Sequence, residues 1–426
     1  MKKLYTLLLV MLASLYGVSL SASVISSSAS GGARFQTLNF AITEDGKGLM
    51  VMRNGSTYSG TVDIPAEVSD GNVTFPVTAI GFSAFSGSSD MTEVILPNSI
   101  TSIGESAFYN CSGLTSLKLP AALAHIGQSA FEGCSGLTSV TMPEGLTAIG
   151  ASAFSLCGLT SMVVPNSVTS IGDMAFMFND ALTEVVLPDN VTELGSNLFY
   201  GCSALKSVNI PAGITAIPYG FMAYCSALTT LSIPEAVTSI GGNAFMSCNG
   251  LTDVTLHDKV ETIGFQAFNS CQNLRSVTLG SGIANIEDNA FHYCKNLQEV
   301  NVRAVVPPVM QNAFMPEQKS QCVLNVPIGS KDAYLADEAW SGFKEIVEKQ
   351  ELTGVGSVTA SGNAVTVRMS DGGIVVSGGD GARVEVFSVG GATVYSAPVY
   401  SGEVIRLHTG AYVVKTGGCA VNVMVK

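Results

Sequence analysis

Short apolar patterns recur along the chain, and each has apolar residues at positions i, i+3 and i+5. Leu114, Leu117 and Leu119 show this spacing, which places three side chains on one side of an extended segment. Seven consecutive segments end in proline, whose missing N–H would interrupt the hydrogen bonding of a sheet. We therefore predict one short strand for each segment. The prolines are Pro97, Pro120, Pro143, Pro165, Pro188, Pro211 and Pro234.

Each predicted strand belongs to a longer unit with the pattern I-G-x-x-A-F-x-x-C-x-x-L-x-x-V-x-L-P. Its phenylalanine is the anchor residue, and successive anchors are 23 residues apart, except for a 22-residue step from Phe154 to Phe176. Met222 stands at the anchor position of one unit. This period with regular leucines indicates a solenoid of leucine-rich repeats, whose units bury their apolar faces by stacking. The anchor phenylalanines are Phe85, Phe108, Phe131, Phe154, Phe176, Phe199, Phe245, Phe268, Phe291 and Phe314.

The predicted fold is a β-rich leucine-rich-repeat solenoid of about 11 repeats of 23 residues, with a parallel β-sheet on one face. Strands stacked about 4.8 Å apart would make this sheet about 50 Å long. Residues 33–78 alternate like an N-terminal β cap, and residues 79–349 hold the solenoid with a C-terminal cap around Trp340. Residues 350–363 are polar and glycine-rich like a linker, and seven short strands in residues 364–426 predict a small β-sandwich.

The first 22 residues have the three parts of a secretory signal peptide: Lys2 and Lys3, an apolar run from Leu7 to Leu15, and a small-residue end. The run is too short to span a bilayer, and no other long apolar segment follows it. We therefore expect an exported protein that is extracellular or on the outer cell surface. The net charge of −13 argues against nucleic acids and anionic membrane surfaces as partners, because these attract basic proteins.

Eight of the ten cysteines occupy the position three residues after the anchor, where Ser88 and Asn179 also occur. A small polar group that meets backbone groups at a turn explains all three residue types. Neighbouring ladder positions keep Cβ atoms about 4.8 Å apart, farther than the roughly 3.8 Å of a relaxed disulfide, so we expect buried thiols. A line of thiols does not converge on one ion, so no metal or other cofactor is predicted. The redox state of Cys322 and Cys419, outside the ladder, stays open.

The best nucleophile and base that the sequence offers are Cys294 and His292, two residues apart. Cys294 belongs to the ladder, which favours a structural role. The G-x-S-A-F strings, such as residues 104–108, resemble a nucleophile elbow but lack its second glycine and recur as part of the repeat. We therefore expect no enzymatic activity.

Each predicted strand leaves two side chains on the outer face of its sheet, and together they form the outward row. Solenoids commonly bind an extended partner along such a face. The row lacks Trp, Tyr and Arg, which are enriched in binding hot spots, so a merely solvated face is the alternative. The outward-row candidates for ligand binding are Lys118, Thr141, Glu184, Asn209, Thr230, Ser232, Asp253, Thr255, Glu299 and Asn301. A second exposed stripe, or a cover for the core, is predicted for Tyr109, Phe178, Tyr200, Tyr224 and Tyr293.

The repeat unit resembles the BspA-like leucine-rich repeat family, also called the Treponema pallidum type, over about residues 60–346. Members are secreted or surface-displayed bacterial proteins, and some are adhesins for host matrix proteins or other bacteria. The resemblance therefore implies binding of host or bacterial surface proteins or glycans without catalysis, and it leaves the partner and the oligomeric state open. A structural surface spacer, or a self-associating surface layer without a soluble ligand, is the alternative.

The tail contains ARVEVFSVGGATVYSAP and TGAYVVKTGG and ends in a lysine. It is similar to the C-terminal sorting domains of type IX secretion cargo in Bacteroidota. That similarity implies export by this route, with the domain either cleaved or used as a surface anchor. The Asn-Pro that usually stands near the start of such domains is absent, so a β-module with another role remains the alternative.

Overall fold

A computed structural model describes most of the chain. Its described residues are 20–27, 33–69, 73–352, 357–360, 363–370, 373–377, 382–388, 393–399, 404–406, 410–416 and 419–425. Most of the predicted signal peptide and His408 lie outside the described residues. The chain forms two compact units, the first of Met1–Ala236 with Asn243–Gly250 and the second of Val237–Gly242 with Leu251–Lys426.

Unit 1 contains seventeen strands among its described residues. They are β1 Leu20–Ser27, β2 Ala33–Ile42, β3 Leu49–Met52, β4 Ser59–Asp63, β5 Glu67–Ser69, β6 Thr74–Ile80, β7 Asp90–Ile95, β8 Ser102–Ile103, β9 Ser116–Lys118, β10 His125–Ile126, β11 Ser139–Thr141, β12 Ala148–Ile149, β13 Ser161–Val163, β14 Ser170–Ile171, β15 Glu184–Val186, β16 Glu193–Leu194 and β17 Ala216–Ile217.

Unit 2 contains seventeen further strands and little helix in its described part. The strands are β18 Ser239–Ile240, β19 Asp253–Thr255, β20 Thr262–Ile263, β21 Ser276–Leu279, β22 Asn285–Ile286, β23 Glu299–Val302, β24 Val309–Met310, β25 Val323–Pro327, β26 Glu345–Lys349, β27 Ser357–Ala360, β28 Asn363–Ser370, β29 Gly373–Ser377, β30 Ala382–Ser388, β31 Thr393–Val399, β32 Val404–Arg406, β33 Gly410–Thr416 and β34 Cys419–Val425. The helices are α1 Pro316–Lys319, α2 Lys331–Ala336 and a 3-10 turn at Gln350–Leu352.

The main sheet of unit 1 has the order β1-β2-β3-β6-β8-β10-β12-β14-β16, and β5 pairs with β6. Strands β1 to β3 are antiparallel neighbours, whereas β8 to β16 pair in parallel with their apolar residues in register, such as Ile103 beside Ile126 and Ile171 beside Leu194. The sequence predicted no strand before the repeat glycines. Two-residue strands are too short to show an alternating pattern, so this ladder becomes visible only when repeats stack.

The predicted strands of the L-x-x-V-x-L pattern form the second side of the repeats. In unit 1 they pair in parallel as β4 with β7, β9 with β11 and β13 with β15. The prediction was wrong for the two following repeats, because residues 206–210 and 229–233 contain no strand. There Val208 makes only an isolated bridge to Val185, and the side chain of Asn209 occupies the N–H and C=O of Leu187. A side chain thus replaces the backbone partner that a strand requires.

The anchor phenylalanines form a buried ladder. In unit 1, the rings from Phe85 to Phe199 stack within 9° of parallel, with centroids 5.0 to 6.1 Å apart. The largest separation occurs at the 22-residue step between Phe154 and Phe176. Met222 is buried at its anchor position, and the ring in that repeat comes from the preceding residue, Phe221, which meets Phe199 edge-on. In unit 2, Phe291 stacks on Phe314 at 4.9 Å.

A tight turn surrounds each anchor, and its backbone bonds run to the following repeat. The N–H groups of Ser106, Phe108 and Asn110 donate to carbonyls of the next repeat at 2.7 to 2.9 Å. Ser106 and Asn110 have left-handed φ values of 55° and 56°, which direct these N–H groups the same way. On the strand side, the N–H of Gly127 donates back to Ile103. Each repeat is therefore bonded to both neighbours.

The ladder cysteines satisfy backbone carbonyls, as the sequence predicted. The Sγ of Cys134 donates to the carbonyl of Phe108, the anchor of the preceding repeat, at 3.1 Å. Other ladder thiols make the same contact at 3.1 to 3.2 Å. Ser88 uses its hydroxyl at this position to accept the N–H of Tyr58. Nine cysteines of the described chain are buried thiols, and Cys322 is among them.

Asn179 shows why the cysteine position changes at one repeat. In ordinary repeats the leucine after the cysteine donates its N–H back to that cysteine, as Leu137 does to Cys134. The 22-residue repeat lacks one residue here, so Leu159 follows Cys157 too closely for this turn. The Oδ1 of Asn179 accepts the N–H of Leu159, and its Nδ2 donates to the carbonyl of Phe154. The amide of asparagine therefore both accepts and donates a hydrogen bond where the residue is missing, which a single thiol group cannot do.

Unit 2 has two parallel ladders, β18-β20-β22-β24 and β19-β21-β23-β25-β26. Two buried aromatic residues lie between β25 and β26 in the sequence: the indole of Trp340 donates to the carbonyl of Pro308, and the hydroxyl of Tyr334 donates to that of Ala304. The helix α2 carries Tyr334, whereas Trp340 lies in the turn after it. Strand β26 then extends the sheet beyond β25.

The C-terminal region consists of two four-stranded antiparallel sheets, β27-β28-β29-β32 and β31-β30-β33-β34. All seven predicted strands are present, and β27 lies within the range predicted as a linker. It pairs with β28, because Val358 and Val365 stand in register. Buried Val384, Val386 and Val414 supply apolar contacts for a small β-sandwich. The predicted fold class, a β-rich solenoid followed by this sandwich, is confirmed.

Gly127→Ala should lower the free energy of unfolding by about 1–3 kcal/mol, the usual cost of overpacking. A Cβ there would lie 2.7 and 2.8 Å from backbone atoms of Gly104 and Glu105. Gly213→Ala is the matched control, because its Cβ would meet no atom within 4 Å. Guanidinium unfolding monitored by circular dichroism measures both, and equal midpoints for the two variants would contradict the close stacking of repeats.

Asn179→Cys should lower the free energy of unfolding by about 1–3 kcal/mol, although it restores the residue that most repeats carry. The loss arises because the N–H of Leu159 is left without its Asn179 acceptor. Cys202→Ser serves as the control, since Ser88 shows that a hydroxyl is accepted at this position. The measurement is the urea unfolding midpoint, and a stabilised Asn179→Cys variant would show that the shortened turn finds another acceptor.

Stability should fall as the pH rises above about 9. Burial raises the pKa of Cys111, Cys157 and Cys202 from 9.0 to about 12, so these thiols stay neutral in the fold while the unfolded chain ionises first. Their stabilisation is complete below pH 9 and is lost towards pH 12, with about 1 kcal/mol per thiol gone by pH 10. Urea unfolding at pH 8 and pH 10 tests this, and Cys202→Ser should lose less stability between the two pH values than the unsubstituted protein.

Candidate binding surfaces

The outward row of unit 1 is exposed on β9, β11, β13 and β15. Lys118, Thr141 and Glu184 are exposed at strand ends, while the alternate residues Leu117 and Val185 are buried. This alternation fixes the direction of the outward side chains, because a strand sends successive side chains to opposite faces. The row thus offers hydroxyl and charged groups on a rigid backbone.

Asn209, Thr230 and Ser232 do not continue that strand row. All three are exposed, but they lie on backbone without strand structure. Asn209 uses both ends of its amide to hold Leu187, with distances of 2.9 Å and 2.6 Å. Its role in the described structure is therefore to support the backbone, which the outward position in the sequence did not reveal.

The unit 2 candidates lie on β19 and β23. Asp253, Thr255 and Glu299 are exposed, whereas Asn301 is half-buried. Asn301 donates to the hydroxyl of Ser276 and accepts from the amide of Asn325 at 2.8 Å. It therefore belongs to a ladder of polar side chains across neighbouring strands, and its amide is already occupied.

Three of the five predicted stripe residues, Phe178, Tyr200 and Tyr224, form a cluster in unit 1. In unit 1, the rings of Phe178 and Tyr200 lie 5.4 Å apart, and those of Tyr200 and Tyr224 lie 5.1 Å apart. Tyr219, which the sequence reasoning missed, stands three residues before Met222 and is half exposed. Burial, together with Tyr224 and Tyr219, raises the pKa of Tyr200. The sequence feature that could have identified Tyr219 is its position close to the anchor of its repeat. Residues near the anchors of neighbouring repeats lie side by side, so an aromatic residue at this position belongs with the predicted stripe.

The environment of Cys294 opposes the predicted pairing of a Cys294 nucleophile with His292 as its base. The thiol of Cys294 is fully buried and donates to the carbonyl of Phe268 at 3.2 Å. A hydrogen bond with Cys271, and burial, raise the pKa of Cys294 well above its usual value. The Nε2 atom of His292 is buried without a hydrogen-bond partner among the described residues. A thiolate is the reactive form of cysteine, and this environment opposes it.

The described residues contain no cluster of three or more His, Cys, Asp or Glu side chains that could hold a metal ion. Within the same residues, no helix has the length and apolar character required to cross a bilayer.

Solved structures of bacterial leucine-rich repeat proteins are similar to this chain. A leucine-rich repeat protein from Bacteroides ovatus has a TM-score of 0.59 at 24% identity, over 72% of this chain and 86% of that chain. A leucine rich cell surface protein from Faecalibacterium prausnitzii has a TM-score of 0.42 at 25% identity, over 77% and 96%. The T. pallidum leucine rich repeat protein has a TM-score of 0.39 at 30% identity, over 50% and 87%. No curated protein matches the chain significantly.

The family described as BspA type leucine rich repeat region matches this chain in six copies, over residues 67–182, 169–298 and 238–328. These residues include the anchor turns from Phe85 to Phe314, whose stacked geometry is described above. The match covers more than half of the chain, and the protein belongs to the BspA-type leucine-rich repeat family.

Proposed function

We propose that this protein is a secreted or cell-surface binding scaffold, an adhesin-like protein that holds a protein or glycan partner and performs no catalysis. The observation that carries the proposal is the outward row of unit 1. Lys118, Thr141 and Glu184 project from rigid strands whose alternate residues are buried. Membership of the BspA-type family supports a role in binding.

The stacked repeats would lower the entropic cost of binding. Backbone groups on both sides of each repeat are bonded to neighbours, so little ordering remains when a partner arrives. Small hydroxyl side chains such as Ser139 and Thr141 also allow an extended partner to approach the sheet closely. Host or bacterial surface proteins and glycans are the proposed partners.

The ends of the chain support an exported location in this proposal. Residues 1–22 would serve as the signal peptide, residues 33–78 as the N-terminal cap and residues 79–349 as the solenoid. Residues 364–426 would sort or anchor the protein after export by the type IX route. These assignments rest on sequence pattern and on the similarity of the tail to sorting domains.

Thr141→Arg combined with Val163→Arg should reduce binding to a captured partner at least about tenfold, because two bulky charges would block the row. Both residues are exposed at the ends of strands β11 and β13. The measurement is capture from a panel of matrix proteins, mucins and bacterial polysaccharides by the full-length protein after its leader.

Thr169→Arg is the matched control, because Thr169 is exposed beside the other sheet, before β14. Unchanged binding by the double variant would reject the outward row as the working surface. Self-association of the protein with no capture from the panel would favour the structural spacer instead.

A further inference from the structure

Unit 1 carries an exposed apolar cluster on its anchor-turn side that the outward row does not explain. The anchor-turn patch consists of the exposed Leu156, Met174, Phe178, Tyr219 and Tyr224 together with the half-buried Tyr200. Tyr219 is 51% exposed and Leu156 is 47% exposed, although both are large apolar residues. Contiguous exposed apolar patches on a protein surface commonly mark interaction sites.

The repeat stacking brings the patch together. Backbone bonds join Phe178 to Tyr200 and Asn197 to Tyr219 between neighbouring repeats, each at 2.8 Å. Phe178 lies over Gly201, where any side chain would collide with its ring. Tyr219 also accepts a hydrogen bond from the amide of Asn243 at 2.7 Å. These contacts hold the aromatic side chains in place before a partner binds.

The charge around the patch is one-sided. The four anchor-turn segments that build it, residues 150–158, 172–180, 195–203 and 218–226, contain no Lys, Arg or His. Asp173 and Asp180 are exposed in the same turn as Met174 and Phe178. A basic side chain on a partner would gain from these carboxylates and from the faces of the tyrosines.

Two other occupants fit less well. A second copy in a symmetric dimer would bring the same patch, and therefore Asp173 and Asp180, to both sides of the interface. A neutral glycan needs rings that lie flat as a platform. The Phe178 and Tyr200 rings are 85° apart, and the Tyr200 and Tyr224 rings are 51° apart, so these rings form an uneven surface.

We propose that the anchor-turn patch is a docking site for a protein segment that carries arginine or lysine beside apolar side chains. The proposal deepens, and rests on, the proposed function of a binding scaffold, and it places a main contact on the anchor-turn side. Tyrosines are enriched among the residues that dominate protein interfaces, and methionine adapts to irregular apolar partners.

The test uses a fluorescent peptide of alternating arginine and leucine, with a glutamate and leucine peptide of equal length and a soluble β-linked glucan as comparison probes. Tyr224→Asn in the full-length protein should weaken binding of the basic peptide about tenfold. Tyr293→Asn, in unit 2, is the matched control and should bind unchanged. Tyr224 and Tyr293 occupy the same repeat position, with φ values of 63° and 59°, and asparagine tolerates this backbone.

Phe178→Asn should weaken the basic peptide as Tyr224→Asn does, with unfolding midpoints showing that the variants are folded. The proposal is overturned if the basic peptide fails to bind, if the acidic peptide binds equally well, or if Tyr293→Asn causes the same loss. Binding of the glucan in place of the peptide, with loss in Tyr224→Asn, would assign the patch to carbohydrate and also overturn it. Capture of a panel partner that is sensitive to Thr141→Arg with Val163→Arg would still support the scaffold in any of these cases.

Discussion

No repeat of this protein can satisfy its own backbone, and its neighbours must complete it. Amides of the strand side donate to the preceding repeat, as Gly127 does to Ile103. Amides of the anchor turn donate to the following repeat, as Phe108 does to Ala130. Because both sets of bonds must form at once, repeats have to stack in register. This need to stack in register explains why the anchors are spaced 23 residues apart in the sequence.

The buried side chains follow from the same register. Anchor rings meet their counterparts nearly parallel, and ladder thiols reach the carbonyl of the preceding anchor. The 22-residue repeat departs from this common register, since one missing residue removes a turn hydrogen bond at Leu159. Asn179 restores it with an amide that bonds in two directions. The position of cysteine in the repeat is therefore a hydrogen-bonding position, which explains why serine and asparagine also occupy it.

The stacking of repeats also determines which residues share a surface. The backbone is nearly the same in every repeat, so an exposed position that varies in sequence has a fixed place on the surface. Equivalent positions in neighbouring repeats lie side by side. On the strand side this produces the outward row of hydroxyl and charged groups. On the anchor-turn side, Leu156, Phe178 and Tyr224 stand at a position where most other repeats carry Gly, Ser or Asn, and they produce an apolar patch. Each surface has rigid support beneath it, so neither requires the core to change.

The sequence by itself determined the fold class, the anchors and the structural role of the ladder cysteines, because these depend on periodic positions that every repeat shares. It could not determine the two-residue strands such as Ser102–Ile103, which exist only through pairing between repeats. It also could not show that the side-chain amides of Asn209 and Asn301 form hydrogen bonds with neighbouring repeats. Tertiary structure decided these points because contacts between side chains of different repeats depend on the stacking distance and direction, which no single repeat encodes.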